Sequence, residues 1–151
     1  MARYNCDLGR GTTHTTNAAG AIYCPAASMR RIKIHYVSYG SETAPADQVF
    51  LININRSTTA PTAGTSVTPQ SLDPADAACV ALAMDGTITN GTTTANAVLL
   101  TTALNQKATF QWYAPPGGAL VIPATASNGV HFLTPTASGT PALTISGHIE
   151  E

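Results

Sequence analysis

Short apolar or alternating segments, separated by clusters of Gly, Pro, Asn and Asp, follow one another along most of this chain. Segments of this length between turn-forming residues are typical of antiparallel β-strands that pack as a sandwich or barrel. The predicted strands are residues 30–39, 49–55, 96–104, 108–113, 120–122, 130–134 and 142–149. Turn-forming groups such as Pro115-Pro116-Gly117-Gly118 and Asp85-Gly86 should make the chain reverse its direction often.

The first predicted strand, 30–39, alternates between apolar and basic side chains. Ile32, Ile34 and Tyr36 should point to one side, as the core face of a half-buried strand requires. The basic side chains should point the other way and be exposed or at an interface; they are Arg31, Lys33 and His35, with Arg30 at the start of the strand. This is the one basic cluster of the sequence, and an acidic partner surface would complement it.

Two later segments predict the rest of the core. Phe50, Ile52 and Ile54 alternate with polar or smaller residues, so they should share the inner face of one strand. Phe110 and Trp112 are also two residues apart, and we place both of them in the core.

One stretch carries a helix-start signal. Asp73 is a good N-cap, Pro74 suits the first helical position, and Asp76 lies where a carboxylate favours the free amides of a first turn. We therefore predict a short helical turn near residues 74–79, followed by a strand. The alternation of Val80, Leu82 and Met84 would also suit a strand from the start.

The first 20 residues differ from the rest. The segment Thr12-Thr13-His14-Thr15-Thr16 has high β-propensity but almost no apolar side chain to bury, so it gains little from folding on its own chain. We predict that residues 1–20 form an arm or edge strand that packs partly on a neighbouring subunit. Residues 21–151 then form a single sandwich domain, and the length of the chain is sufficient for one core.

The segment 58–69 is rich in Thr, Ala, Pro and Gly and has no periodicity. It is therefore predicted to be a loop. It is long for a hairpin connection, and long loops often carry function. Thr59 and Thr62 are its candidate contact residues.

Charge is scarce in this sequence. Lys, Arg, Asp and Glu make up 10% of the 151 residues, against roughly 25% in an ordinary soluble domain. Thr, Ser, Asn and Gln must then supply most of the polar surface, and their desolvation against a partner costs much less than that of an ion. The stretch 108–149 contains no charged residue, so we look for subunit packing there. The net charge of -1 leaves no basic field, which argues against direct binding of nucleic acid.

No pattern of catalytic or metal-ligating residues stands out. The carboxylates fall mainly in predicted loops, turns and the chain end, and no nucleophile elbow or nucleotide-binding fingerprint is present. The four histidines occur singly, without a partner at ligand spacing: His14, His35, His131 and His148. We expect neither enzymatic activity nor a metal or cofactor. His131 and His148 should be outward-facing or interface residues, and a pH-sensitive subunit contact through them is conceivable.

Three cysteines at unrelated spacings indicate neither a disulfide framework nor a zinc site. Cys6, Cys24 and Cys79 should be free thiols, with a Cys6–Cys24 bridge as the alternative. The first residues do not resemble a signal peptide, and no apolar stretch is long enough to span a membrane, so synthesis in the cytoplasm is expected.

At Arg30-Arg31-Ile32-Lys33, and again between Ser66 and Ala78, the chain resembles small structural proteins of tailed bacteriophages. The resemblance continues through Trp112 and the corner at Pro115 to the last predicted strand, and covers roughly residues 20–151. It implies an all-β, antiparallel, jelly-roll-like sandwich that decorates or cements the capsid exterior. It also implies a homotrimer or other homo-oligomer bound to the major capsid protein. The candidate contacts are then Arg30, Arg31, Lys33, His35, Thr13, Thr15, Thr59 and Thr62.

The main alternative is a fibre, tail or receptor-recognition module that binds host glycans, with Tyr36, Tyr39 and Tyr113 as candidate stacking platforms. A glycan-binding protein should display aromatic side chains in a pocket, whereas a cement protein should present flat polar contact faces. A hydrolase built on a sandwich fold is the third class, and the scarcity of acid and base groups disfavours it.

Overall fold

Strands account for all the regular secondary structure of this protein in the computed structural model, which describes residues 1–9, 18–42, 45–89, 91–137 and 142–151. The strands are β1 (Arg3–Asp7), β2 (Ala18–Tyr23), β3 (Ile32–Ser41), β4 (Val49–Ser57), β5 (Thr65–Val67), β6 (Gln70–Ser71), β7 (Leu82–Ile88), β8 (Thr93–Asn105), β9 (Phe110–Tyr113), β10 (Leu120–Ile122), β11 (Gly129–Ala137) and β12 (Leu143–Glu150). These residues form no helix, and therefore no helix that is long and apolar enough to cross a membrane.

The strands form two antiparallel sheets that pack as a sandwich. In the first sheet the order is β6, β1, β12, β3, and both β9 and β10 pair with the far edge of β3. In the second sheet the order is β5, β7, β2, β11, β4, β8. The predicted all-β sandwich is therefore confirmed.

The path of the chain between the two sheets is that of a jelly roll. β1, β3 and β12 lie side by side in the first sheet, while β2, β4 and β11 occupy the second, so the chain changes sheet at nearly every step. β8 completes the second sheet, and β9 with β10 completes the first, which accounts for the eight positions of a two-sheet jelly roll. The short strands β5 and β6, together with β7, extend the sheets beyond these positions: β7 and β5 lie beyond β2, and β6 lies beyond β1.

The core lies between the sheets and combines many aliphatic side chains with a few aromatic ones. Phe50, Ile52 and Ile54 of β4 are at most 2% exposed, as their spacing predicts. They lie in one buried cluster with side chains of the first sheet such as Ile145 and Ile149. Phe110 and Trp112 pack against this cluster but stay half-buried, because β9 lies at the edge of its sheet.

A β-bulge changes the predicted faces of β3. Ile34 pairs with Ile149 and Tyr36 pairs with His148, so His35 is an extra residue in the ladder. Ile32 and Ile34 are buried as predicted, but after the bulge the inner face passes to Val37 and Tyr39. The placement of Tyr36 on the core face was therefore wrong. The bulge leaves Tyr36 half-buried against aromatic side chains rather than in the core.

The helical turn predicted near residues 74–79 is a single reverse turn instead. The carboxylate of Asp73 accepts a hydrogen bond from the Ala75 amide at 2.9 Å, and its carbonyl accepts one from the Asp76 amide at 3.0 Å. These bonds close a turn without starting a helix, since the chain then leads directly to β7. Gly86, predicted in a turn, lies inside β7 with φ 88°, where the register against β2 shifts.

Part of the predicted N-terminal arm belongs to the sandwich. β1 pairs with β12 on one side and β6 on the other, because Tyr4, Cys6 and Leu8 are fully buried anchors. The boundary proposed at residue 20 falls within β2, which is buried along its whole length. Residues 10–17, with Thr13, His14 and Thr15, lie outside the described part of the chain, so their packing on a neighbour stays a prediction.

Candidate functional site

The basic face of β3 is paired with a carboxylate of β12. Lys33 Nζ donates to Glu150 Oε1 at 3.0 Å, His35 Nε2 lies 3.5 Å from Glu150 Oε2, and Arg3 Nε is 3.9 Å from the same oxygen. These four residues, here called the charged cluster, come from β1, β3 and β12, which are adjacent in the first sheet. Cross-strand register therefore explains the cluster, since Glu150 pairs with both Arg3 and Lys33.

Glu150 is the centre of this cluster. Its side chain is only 11% exposed, whereas the side chains of Lys33 and Arg3 are 34% and 70% exposed. The hydrogen bond from Lys33 lowers the pKa of Glu150 most, and the charges of Lys33, His35 and Arg3 lower it further, against the opposing effect of burial. The cluster thus keeps a carboxylate ionised and pairs the charge of Lys33 within the chain.

The next residue, Glu151, binds the backbone of the loop that precedes β7. Its side chain is fully buried, and its two oxygens accept the amides of Val80 at 2.6 Å and Ala81 at 3.0 Å. Arg30 Nη1 lies 3.9 Å from Glu151 Oε1. Arg31 is exposed just before β3, and no ion pair joins it to another described residue. Of the predicted basic contacts, Arg31 is therefore the one without an ion pair among the described residues.

An aromatic row crosses three strands beside the charged cluster. Tyr113 of β9 lies opposite Tyr36 of β3, which in turn lies opposite His148 of β12. The ring centroids are 4.7 Å apart in the first pair and 4.9 Å in the second. Tyr113 is 66% exposed, so one ring of the row is open to solvent. Tyr39, the third tyrosine considered as a platform, is buried between Phe110 and Phe132 and cannot serve as one.

Two clefts open on the surface. A cleft of about 400 Å³ lies between Lys33 and His35 on one side and the corner at Pro115 and Pro116 on the other. Gly118 N donates to Pro115 O at 2.8 Å, and Gly117 has φ 76°, so the predicted rigid corner forms one wall.

The larger cleft, of about 730 Å³, is polar. Asp7 of β1 and Asp85 of β7 line it together with β5 and β6 residues such as Thr65 and Gln70. Two carboxylates thus share one opening. No group of three or more His, Cys, Asp and Glu side chains that could hold a metal ion occurs among the described residues.

The two loop threonines lie apart from the basic residues. Thr59 Oγ1 accepts the Thr92 amide at 2.6 Å, and Thr62 forms an isolated bridge with Thr89. Both are exposed, and both brace the segment 58–69 against the turn between β7 and β8. β5 interrupts that segment, which was predicted to be entirely loop.

His131 is fully buried within the chain, whereas it was predicted to be an outward-facing or interface residue. It lies on β11 between Ala21 and Asn55, on the face opposite the core residues Val130 and Phe132. Neither ring nitrogen has a hydrogen-bond partner within the described structure. Burial therefore lowers the pKa of His131 to about 4, so the ring is neutral at neutral pH.

The cysteines are free thiols in the described chain, with Cys6 and Cys24 buried and Cys79 partly exposed. Burial, and then the nearby Glu151 carboxylate, raise the pKa of Cys79 to about 12. A thiol with such a pKa is a poor nucleophile near neutral pH.

Sequence reasoning missed Glu150, Glu151 and the aromatic row. The carboxylates follow the last predicted strand, and Lys33 is 117 positions from Glu150 along the chain, so only the sheet register brings them together. Tyr36 could have been placed beside Tyr113 and His148 only if the bulge at His35 had been foreseen. The chain matches no known family model, no curated protein and no solved structure.

Proposed function

We propose that this protein is a non-enzymatic structural protein of a tailed-phage virion, which decorates and stabilises the capsid exterior. It would act as a homo-oligomer bound to the major capsid protein. The observation that carries this proposal is the distribution of charge. Between Gly86 and Ile149, which includes β8 to β11 and all of β12 except its last residue, Lys107 is the one charged residue.

A surface of this kind suits permanent burial against other protein subunits. Hydroxyl and amide groups lose far less free energy on desolvation than ions do, so weak polar contacts can be packed closely. Many copies on a lattice then multiply each weak contact through avidity. Jelly rolls occur in capsid proteins and in lectins alike, so the fold is compatible with the proposal and does not carry it alone.

Arg31 is the residue that we expect to contact an acidic patch of the capsid, because no carboxylate in the described part of the chain pairs with it, whereas Lys33 is bound to Glu150. Purified protein should bind at fixed lattice positions to capsids that lack it, as seen by electron microscopy and sedimentation. Arg31→Glu should weaken this binding about tenfold through like-charge repulsion. Lys107→Glu is the matched control, since Lys107 is also exposed but lies in the turn between β8 and β9. Absence of capsid binding by the wild-type protein would refute the proposal.

Binding of host glycans is the second candidate function, and the aromatic row is the specific observation in its favour. An exposed ring such as that of Tyr113 can stack on the apolar face of a sugar, and the adjacent cleft offers Lys33 and His35 as hydrogen-bonding groups. Retention on a glycan array that Tyr113→Ala abolishes and Tyr113→Trp preserves would support this function. Retention unchanged by Tyr113→Ala would exclude the row as the binding site.

A further inference from the structure

β8 forms one edge of the second sheet and is unusually long for an edge strand. It spans 13 residues, from Thr93 to Asn105, without a charged residue, a proline or a glycine. β4 is its neighbour on one side, and no strand of the described chain lies on the other. Long edge strands without charges readily pair with another chain, and monomeric proteins usually avoid them.

The other edges of the sandwich are protected by being short. β5 has three residues and β6 has two, and the far side of β3 is covered by β9 and β10 with four and three residues. The rigid corner at Pro115 separates β9 from β10. Only β8 therefore offers an extended backbone ladder among the edges that the structure describes.

The pairing with β4 identifies the free backbone groups of β8. The amide of Gln106 donates to Gln48 O at 2.9 Å, just beyond the regular register of Val49 with Asn105. Because hydrogen-bonded pairs alternate along antiparallel strands, the backbone groups of residues 100, 102 and 104 point to β4. Those of Thr101 and Ala103 then point away from the sheet, where both residues are exposed.

The side chains of β8 also leave apolar surface uncovered. Leu100 and Leu104 pack against the core but remain only half-buried, because no strand lies beyond them to complete their burial. Val98 is 44% exposed on the same strand, and Val49 at the start of β4 is 59% exposed. A strand added at this edge would cover the leucines while satisfying the backbone of Thr101 and Ala103.

We propose that the β8 edge binds the β8 edge of a second copy of this chain, antiparallel about a two-fold axis, so that two second sheets join into one. Lack of charge favours a copy of the same strand as the partner. A two-fold axis brings a strand against itself, so any charged residue near the axis would meet its own like charge. The regular segment from Leu100 to Asn105 provides about 20 Å of ladder. This inference deepens the proposed function, since such pairing would supply its homo-oligomer.

Opposite charges at the edge test this pairing. In the double variants T101K/A103K and T101E/A103E, any antiparallel register centred on this segment sets like charges against each other. Each variant alone should dimerise more weakly than the wild-type protein, with a dissociation constant raised about tenfold. An equimolar mixture should restore the dimer, because Lys then faces Glu. Analytical ultracentrifugation at low ionic strength measures both effects on the full chain, without capsids.

The matched control is S66K/T68K, which places two exposed lysines at the opposite edge of the same sheet and should leave the dimer intact. Circular dichroism confirms folding of each variant, and recovery on mixing is possible only for folded chains. A wild-type protein that stays monomeric, charged variants that stay dimeric, or a mixture that stays dissociated would each overturn the pairing. Capsid binding is measured separately, so a monomer that still decorates capsids would refute the β8 dimer and the homo-oligomer, and leave capsid decoration standing.

Discussion

The β3 face of the first sheet and the β8 edge of the second sheet use polar groups in opposite ways. On β3, the ions Lys33 and Glu150 are paired at 3.0 Å, and Glu150 is nearly buried. On β8, thirteen residues contain no ion, and the backbone groups of Thr101 and Ala103 face outward. One region satisfies its charges within the chain, while the other leaves uncharged hydrogen-bonding groups open.

This difference shows where a partner could bind at the lowest cost in desolvation free energy. An ion that already has a partner must break that contact or carry it into the interface, at a cost in desolvation. Free amides and carbonyls at a sheet edge gain hydrogen bonds as soon as another strand arrives. The charged cluster therefore holds its main ion pair, Lys33 with Glu150, within the chain, and the inconspicuous Thr- and Ala-rich strand is the open one.

The largest loss of stability should follow truncation in the interior, and a smaller one should follow truncation at the open edge. Ile54 and Leu100 lie opposite each other in β4 and β8, but Ile54 is fully buried and Leu100 only partly. Ile54→Ala should lower the free energy of unfolding by about 3 to 4 kcal/mol, and Leu100→Ala by about half of that. Urea unfolding at low protein concentration, where chains are monomeric, measures both losses. Equal losses would mean that the β8 edge is already covered within one chain.

A second effect concerns the buried His131 in the uncharged region. Its folded pKa of about 4 lies below that of the unfolded chain, so between these values the unfolded chain binds more protons. Stability should therefore fall as the pH drops from 7 towards 4, with about 2 kcal/mol lost at pH 5 through this group. Urea unfolding of His131→Leu across this range should show a free energy of unfolding that depends less on pH. His148→Leu, in the aromatic row, is the control that should retain the pH dependence of the wild-type protein.

The smallest effect tests the charged cluster. Glu150→Gln should lower the free energy of unfolding at pH 7 by about 1 kcal/mol, because Lys33 loses a charged partner that is only partly screened by solvent. Since the pKa of Glu150 is lowered, this contribution is present above the ordinary carboxyl pKa and lost as the pH falls through the folded value. Thermal unfolding of the variant and the wild type should therefore converge in strong acid. Glu42→Gln, at an exposed carboxylate, should have no such effect.

Much of the fold follows from local pattern. The strand predicted at 49–55 is found as β4, whose residues two apart share one face as the alternation requires, and the short apolar run 120–122 is found as β10. β2 was missed for a physical reason. It contains small residues such as Ala19 and Gly20 that are buried on both faces, so it shows no alternation.

The candidate site was far less predictable. Arg30 to His35 could be recognised as a basic group, but the carboxylates that face Lys33 and Arg30 lie at the other end of the chain. Tyr36 changed face because of a single extra residue in the ladder, and a bulge of that kind has no clear local signature here.

Local pattern alone established the fold class of this protein, since frequent turn residues and short alternating segments allow little except antiparallel sheets. The scarcity of charge is a property of composition and was equally visible there. Which groups are open to a partner emerged from the packed structure. Exposure depends on which strand lies beside which, and this follows from contacts between distant residues such as Lys33 with Glu150 and Ile54 with Leu100. The long uncharged strand could be read from the sequence, but its position at an edge could not.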